Sequence, residues 1–500
     1  MGVIQKQSIQ STVVIMLGFA IGAFNTIIFV PKVLSAEVFG LTRIITDAGL
    51  TLATLCTLGT LPVIYKFFPF YKSYLKPGQN DLPFVTLVIC MIGFPLMCIA
   101  GYAAKDLIVR KFSGKSPLFV EYSYLVYPYA FFMMLFIWME SFSWSFRKTV
   151  VSNTLKETFA RVVFTVLLVL VLFGVINQHQ FITLFSFTFF LPVIVLFIIL
   201  RRTKQFNFNT TISPVTSRLK GKMANFGLFI FGAQFLNLLS RTVDTFILSA
   251  KSDRGLADAA VFTIATYVVT FMEIPQRSIT AISIPVLAES WKNKDMANIS
   301  NIYRKSVSNL LVIGLLMFGA IWLNIHNLAV YLGKDYTGIE AIVLFMGIGK
   351  LIDLGTGTNG QIIGTSSYWK VDFTTNVIYT LLALPLNYFL IDRYGLMGAA
   401  YSTVIALTFY NTMRFGFLWY KFKLQPYSLK NLAVIFIAII AIAIAYFVPV
   451  HQNIIIDTMI RTSVFFLVFI PTIYFSKISE EVNNIIENML KKFSQIIRRK

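Results

Sequence analysis

Long apolar runs recur from one end of this chain to the other, and short basic segments separate them. Phe159–Val175, Phe181–Leu200, Val307–Leu323 and Leu432–Val450 are examples. A hydrocarbon core about 30 Å thick needs about 20 apolar residues per helix to cross it. In hydrocarbon every backbone N–H and C=O must find a partner within the protein, which restricts spans to helices or closed barrels. The runs here are helix-length, and only 13% of the residues are charged, against about 25% in a soluble domain. The expected fold class is therefore an all-α polytopic membrane protein with about fourteen spans. The runs lie at roughly 9–31, 44–65, 82–104, 122–144, 157–176, 180–200, 223–249, 258–284, 306–325, 337–366, 372–391, 395–420, 429–450 and 456–476. Prolines fall within many of them: Pro62, Pro95, Pro128, Pro192, Pro275, Pro385 and Pro471. In a helical bundle neighbouring helices can satisfy the backbone groups that these free.

The net charge of +21 would point to nucleic acid in a soluble chain. Here the basic residues sit between apolar runs, which excludes that partner and points to anionic lipid headgroups. With the N-terminus inside, most of the 43 Lys and Arg residues fall in inside loops and tails, as the positive-inside rule requires. His179, His326 and His451 then lie in or beside outside loops. The first run, Ser8–Val30, is too long for a cleaved signal peptide and reads as a membrane helix. Cys56, Cys90 and Cys98 all lie inside apolar runs and form no metal or disulfide pattern. The tail after residue 476 spaces Ile478, Val482, Ile485, Ile486, Met489, Leu490, Phe493, Ile496 and Ile497 on one helical face among basic residues. An amphipathic helix on the inner leaflet is expected there.

A weak internal repeat divides the chain. Val33-Leu34-Ser35-Ala36 ends the first run and Ile247-Leu248-Ser249-Ala250 ends the seventh. Leu61-Pro62-Val63 and Ile284-Pro285-Val286 stand at the ends of the second and eighth. Each half holds six runs with the same inside start, so the halves are parallel, and such halves suggest a transporter with its substrate path between them. The expected organisation is an N-terminal bundle over 1–222, a C-terminal bundle over 223–428, two extra helices over 429–476 and a basic tail over 477–500.

Gly355-x-Gly357-x-x-Gly360 matches a dinucleotide fingerprint in letters only, since that motif needs a preceding strand and an opening helix. Inside an apolar run it predicts a broken helix over Asp353–Ser367. Irregular backbone at membrane depth is tolerated where it is buried in protein or lines a cavity, so Thr356, Asn359 and Gln361 are candidate path-lining groups. No GxxxxGK[ST], HExxH or GxSxG occurs, and nothing calls for a cofactor or metal. The outside loops leave little room for a catalytic site, so an enzyme is not expected.

Charges within the runs are the most informative residues, because each isolated one costs on the order of 3 kcal/mol by insertion scales. Arg43/Asp47, Glu157/Arg161, Arg241/Asp244, Glu273/Arg277, Lys350/Asp353 and Asp457/Arg461 are spaced to share a helix face. Arg414 and Glu140 have no such neighbour. Some of these pairs simply neutralise themselves; the functional expectation is a cationic aqueous path lined by Arg241, Arg277 and Lys350, with Arg414, Asn359 and Gln361 as further substrate contacts. Guanidinium groups suit phosphate through paired hydrogen bonds.

Ser35-Ala36-Glu37-Val38-Phe39-Gly40-Leu41, Tyr394-Gly395-Leu396-Met397-Gly398-Ala399-Ala400-Tyr401-Ser402-Thr403 and Trp144-Ser145-Phe146-Arg147-Lys148 carry a family resemblance. The chain resembles the polysaccharide repeat-unit flippases of the Wzx type, for O-antigen or exopolysaccharide. That family sits in the multidrug/oligosaccharidyl-lipid/polysaccharide exporter superfamily with the multidrug and toxin extrusion (MATE) transporters and the lipid II flippases. The resemblance implies a MATE-like pair of bundles in a V shape and an alternating-access cycle. It implies a polyprenyl-pyrophosphate-linked oligosaccharide as substrate, moved from the inner to the outer leaflet of a bacterial plasma membrane with both termini cytoplasmic. H⁺ or Na⁺ as coupling ion and a polysaccharide polymerase machinery as partner belong to the same expectation. The first run carries no arginine, where some lipid-linked-substrate relatives place one. The alternatives are a cation-coupled multidrug exporter of the same superfamily, for which the first run lacks an acid, and a membrane enzyme acting on the same glycolipid.

Overall fold

The computed structural model describes residues 3–484, apart from 147, 204–205 and 479–481, together with 487. Every regular element among them is helical. Most of the tail expected to form an amphipathic helix lies outside the described residues.

Ten helices are long and apolar enough to cross a membrane, or eleven if the bent pair Leu256–Thr270 and Glu273–Lys292 is one span. The other expected spans are present in altered form. The run at 157–176 begins as a π-helix, Thr154–Phe159, and continues as Ala160–Leu172. The run at 337–366 is divided into Ile339–Gly355 and Asn359–Thr365. The runs at 372–391 and 395–420 are two helices within Trp369–Phe422, joined directly at Gly395, whose φ of 53° and ψ of −132° are not helical and lie where a side chain is strained. A Cβ on Gly398 would stand 2.0 Å from the Leu390 carbonyl oxygen, so the two glycines let the chain fold tightly back. Gly398→Ala and Gly395→Ala are each expected to destabilise the chain by about 1–3 kcal/mol. Thermal unfolding in detergent measures this; an unchanged midpoint for Gly398→Ala would show that the bend is not close-packed.

Several prolines mark helix starts rather than kinks. Pro62, Pro128, Pro192 and Pro275 each stand third in their helices, where the missing N–H has no intrahelical partner to lose. Ser35 caps helix Ala36–Cys56 by accepting from the Val38 N–H, which explains the Ser-Ala-Glu opening of that segment. The helix ends at Leu58 and Gly59, both with positive φ, before Thr60–Tyr74 begins.

The chain forms two compact units, Met1–Thr263 and Ile264–Lys500. In the first, Trp138, Phe142 and Phe206 are fully or almost fully buried, with ring centroids 5.3–5.5 Å apart, and the Trp138 indole donates to Thr86 Oγ1 at 3.0 Å. Helix Pro214–Lys251 belongs to this unit, packing on Ala36–Cys56 and Thr60–Tyr74. In the second unit a small-residue stripe, Val434, Ala438, Ala441 and Ala445, receives Phe465, Phe469 and Leu315. Small residues let helices approach closely where hydrophobic driving force is absent.

Candidate functional site

Two breaks in the backbone of the second unit bring polar groups together within its apolar helices. The first is a 49° bend between Leu256–Thr270 and Glu273–Lys292, which sets Glu273, Gln276 and Arg277 in the opening turn of the second helix. The second is the interruption at Thr356–Thr358, where Gly357 has a φ of 64°. Ser306 repairs that second break: its Oγ accepts the Thr358 N–H at 3.2 Å and lies 3.1 Å from the Thr358 hydroxyl. A Cβ on Gly357 would lie 2.6 Å from the same oxygen. Gly357→Ala therefore combines a left-handed backbone with a clash and is expected to destabilise by about 1–3 kcal/mol, read as a lower unfolding midpoint; wild-type stability would mean the break is soft.

The groups at the breaks form one network. Lys350 Nζ stands 2.8 Å from Glu273 Oε1 and 3.0 Å from Asp353 Oδ2. Arg277 reaches the other Glu273 oxygen at 3.1 Å. Asp353 also accepts from Asn411 Nδ2 at 3.1 Å and Gln276 Nε2 at 3.2 Å. The Asn411 carbonyl oxygen then receives the Thr356 hydroxyl at 2.8 Å and the Asn359 amide at 3.0 Å. A second pair closes the far side: Arg414 binds Asp372, reaches Thr375 Oγ1 at 3.4 Å and lies 4.0 Å from the centre of the Tyr410 ring. Burial is graded across the network. Arg277 is 68% exposed, whereas Lys350 and Arg414 are 12% and 11% exposed.

Arg277, Lys350, Arg414 and Asn359 thus come together, with Thr356. Gln361 stays out of the network; its backbone carbonyl accepts from the Thr365 hydroxyl one turn on. Arg241 lies on helix Pro214–Lys251 in the first unit, and its side chain lies outside what the structure describes. Each cation of the network has a carboxylate partner, and Glu273, Asp353 and Asp372 balance Arg277, Lys350 and Arg414. Resting charge at this site is therefore neutral. Arg414 finds its partner 42 residues away in sequence, beyond any helical spacing rule. Gln276, Asp372 and Asn411 were not singled out in the sequence. Their one signal is that polar side chains within apolar runs are expensive and tend to pair inward.

The first unit holds a separate polar cluster. Lys156 stands 3.1 Å from buried Glu140, and Arg161 pairs with Glu157 at 3.0 Å. Asn25, in the π-helix Phe24–Phe29, donates to the Arg161 carbonyl at 3.0 Å and accepts from Thr165 at 2.9 Å. Among the described residues no group of three or more His, Cys, Asp or Glu is placed to hold a metal ion.

No protein-family model matches the chain. Over 154 residues it is 26% identical to the capsular polysaccharide biosynthesis protein CapF of Staphylococcus aureus, a match that spans 30% of this chain and 39% of that relative. Among solved structures it superposes on the lipid II flippase MurJ in an inward closed conformation with a TM-score of 0.69, 16% identity and coverage of 94% of this chain and 99% of that one. A MATE family multidrug resistance transporter in an inward-facing conformation matches with a TM-score of 0.62, 14% identity and coverage of 83% and 98%. The chain has the fold shared by these two proteins and is a multi-pass membrane protein.

Proposed function

We propose that this chain is a flippase that carries a polyprenyl-pyrophosphate-linked oligosaccharide from the inner to the outer leaflet of a bacterial plasma membrane by alternating access. The observation that supports it most is the neutral ion-pair network of Lys350, Glu273, Asp353, Arg414 and Asp372 beside two backbone breaks. Helix breaks and buried charges at membrane depth mark substrate and ion pathways. A fold shared with MurJ and the partial similarity to CapF point in the same direction.

Moving one hydroxyl into hydrocarbon without a partner costs about 4–8 kcal/mol, so an oligosaccharide does not cross unaided. A polar path removes that penalty while the polyprenyl chain stays in lipid. The pyrophosphate enters by exchange: guanidinium and ammonium groups released from their carboxylates bind its oxygens, and the carboxylates recapture them afterwards. Export of two negative charges from a negative interior gains roughly 5 kcal/mol per 100 mV of membrane potential, which removes the need for ATP. Both termini lie in the cytoplasm in this reading, and the halves 1–222 and 223–428 are the repeating units.

Charge reversal tests the reading. Arg277→Glu and Lys350→Glu are expected to reduce surface polysaccharide at least tenfold per molecule of chain present in the membrane, equivalent to about 1.4 kcal/mol or more. The same is expected of Arg241→Glu. Normal polysaccharide in all three single variants would remove these side chains from the path. The shared fold with a MATE transporter supplies the competing reading of a drug exporter, and efflux of dye cations from vesicles holding the purified chain would favour it.

A further inference from the structure

In the first unit, two aromatic rings stand exposed beside a buried acid. Tyr65, on helix Thr60–Tyr74, and Trp144, in the last turn of helix Val126–Ser145, have ring centroids 5.6 Å apart and planes 20° from parallel. They are 37% and 42% exposed. Both are held in place by their polar ends: the Tyr65 hydroxyl accepts from Ser141 Oγ at 3.1 Å, and the Trp144 indole N–H donates to Ser152 Oγ at 3.1 Å. Next to Ser141, Glu140 has a side chain only 5% exposed, and Lys156 donates to its two oxygens at 3.1 and 3.4 Å. Lys156 itself is 36% exposed. The ammonium of Lys156, the exposed partner of Glu140, calls for water or a polar ligand rather than lipid tails.

We infer that Tyr65 and Trp144 form a stacking platform for a sugar ring, with Lys156 as its hydrogen-bonding edge. An aromatic face is negative, and a pyranose presents a face of C–H groups with partial positive charge. Each residue is more than a third exposed, which leaves ring surface for such a partner. Buried Glu140 holds Lys156 in place, and the ammonium, with three donors, can donate to sugar oxygens. The two rings lose little rotamer freedom on binding because Ser141 and Ser152 already fix them. The ligand class is a neutral saccharide, and the platform rests on the flippase reading, in which it would hold the headgroup.

The test compares two lipids on the purified full chain in vesicles of phosphatidylethanolamine and phosphatidylglycerol. One is bare undecaprenyl pyrophosphate. The other is the polyprenyl-linked oligosaccharide fraction extracted from cells that express the chain from its own locus. Trp144→Ala and Tyr65→Leu are expected to weaken retention of the glycosylated lipid about tenfold, the loss of one aromatic contact, and to leave retention of the bare carrier unchanged. Trp144→Phe should keep most of the affinity. Equal retention of the glycosylated lipid by wild type and Trp144→Ala would overturn the platform and leave the flippase reading standing. Loss of the bare carrier in either variant would also overturn it, because discrimination for sugar would be absent. Failure of the wild type to retain either lipid would instead sink the flippase reading, and the platform with it.

Discussion

Asp353→Ala is expected to abolish export of surface polysaccharide and to destabilise the chain by about 2–3 kcal/mol, somewhat less than the loss of one partner from a fully buried ion pair, since the side chains of Lys350 and Asp353 are 12% and 16% exposed. The carboxylate takes Lys350, Asn411 and Gln276 at once. Without it, Lys350 keeps only Glu273, and the Asn411 amide loses the acceptor that orients it toward Thr356 and Asn359. Thermal unfolding in detergent and a surface polysaccharide assay separate the two effects. The double variant Asp353→Leu/Lys350→Met sharpens the result. Replacing both partners with apolar side chains of similar size is often neutral for stability, so this variant should regain much of the unfolding midpoint. Export should stay absent, because the cation that meets phosphate is gone. Export recovered together with stability would show that the pair is structural.

Asp457→Ala is the second large effect, and its signature is the opposite. Asp457 and Arg461 are both buried, 3% and 7% exposed, and pair at 2.8 Å. Arg461 also donates to the Tyr446 and Val448 carbonyls at 3.2 and 3.0 Å, and Asp457 accepts from Asn327 and from the His451 N–H at 2.8 and 2.9 Å. These bonds clasp helices Leu429–Tyr446 and Ile454–Ser476 to each other and to Met296–Leu332. Removing the carboxylate leaves a buried guanidinium beside carbonyls alone, and a loss of about 3–5 kcal/mol is expected. In contrast to the first pair, Asp457→Leu/Arg461→Met should restore stability and export together. A stable double variant without export would place this clasp on the transport path.

The contrast between the pairs shows what was legible in the sequence. The membrane-spanning class followed from run length and sparse charge. The break at Thr356–Thr358 was foreseen from the Gly, Thr and Asn content of one apolar run. Asp457/Arg461 and Lys350/Asp353 share helical spacing, and nothing in that spacing separates a clasp from a path. The difference lies in partners from other helices: backbone carbonyls around Arg461, and a second acid, Glu273, beside Lys350. Arg414 makes the same point. No acid lies at helical spacing from it, and its partner, Asp372, stands in the first turn of the preceding helix, brought back by the bend at Gly395. The Tyr-Gly-Leu-Met-Gly segment that carries the family likeness holds that bend. Glu140 and Lys156 likewise meet across a turn, 16 residues apart. Long-range pairing at membrane depth depends on how helices pack, and a periodicity argument confined to one run does not reach it.

Transbilayer movement of the lipid itself bears on the central claim most directly. Proteoliposomes would be loaded with labelled polyprenyl-pyrophosphate oligosaccharide in both leaflets, and outer-leaflet headgroups cleaved by an added membrane-impermeant glycosidase. With the wild-type chain and an imposed potential, negative inside, cleavage is expected to proceed well past the outer-leaflet half toward completion. In vesicles holding Lys350→Glu it should stop near half. Cleavage that stops near half with the wild-type chain as well, in vesicles shown to be intact and oriented, would contradict the account.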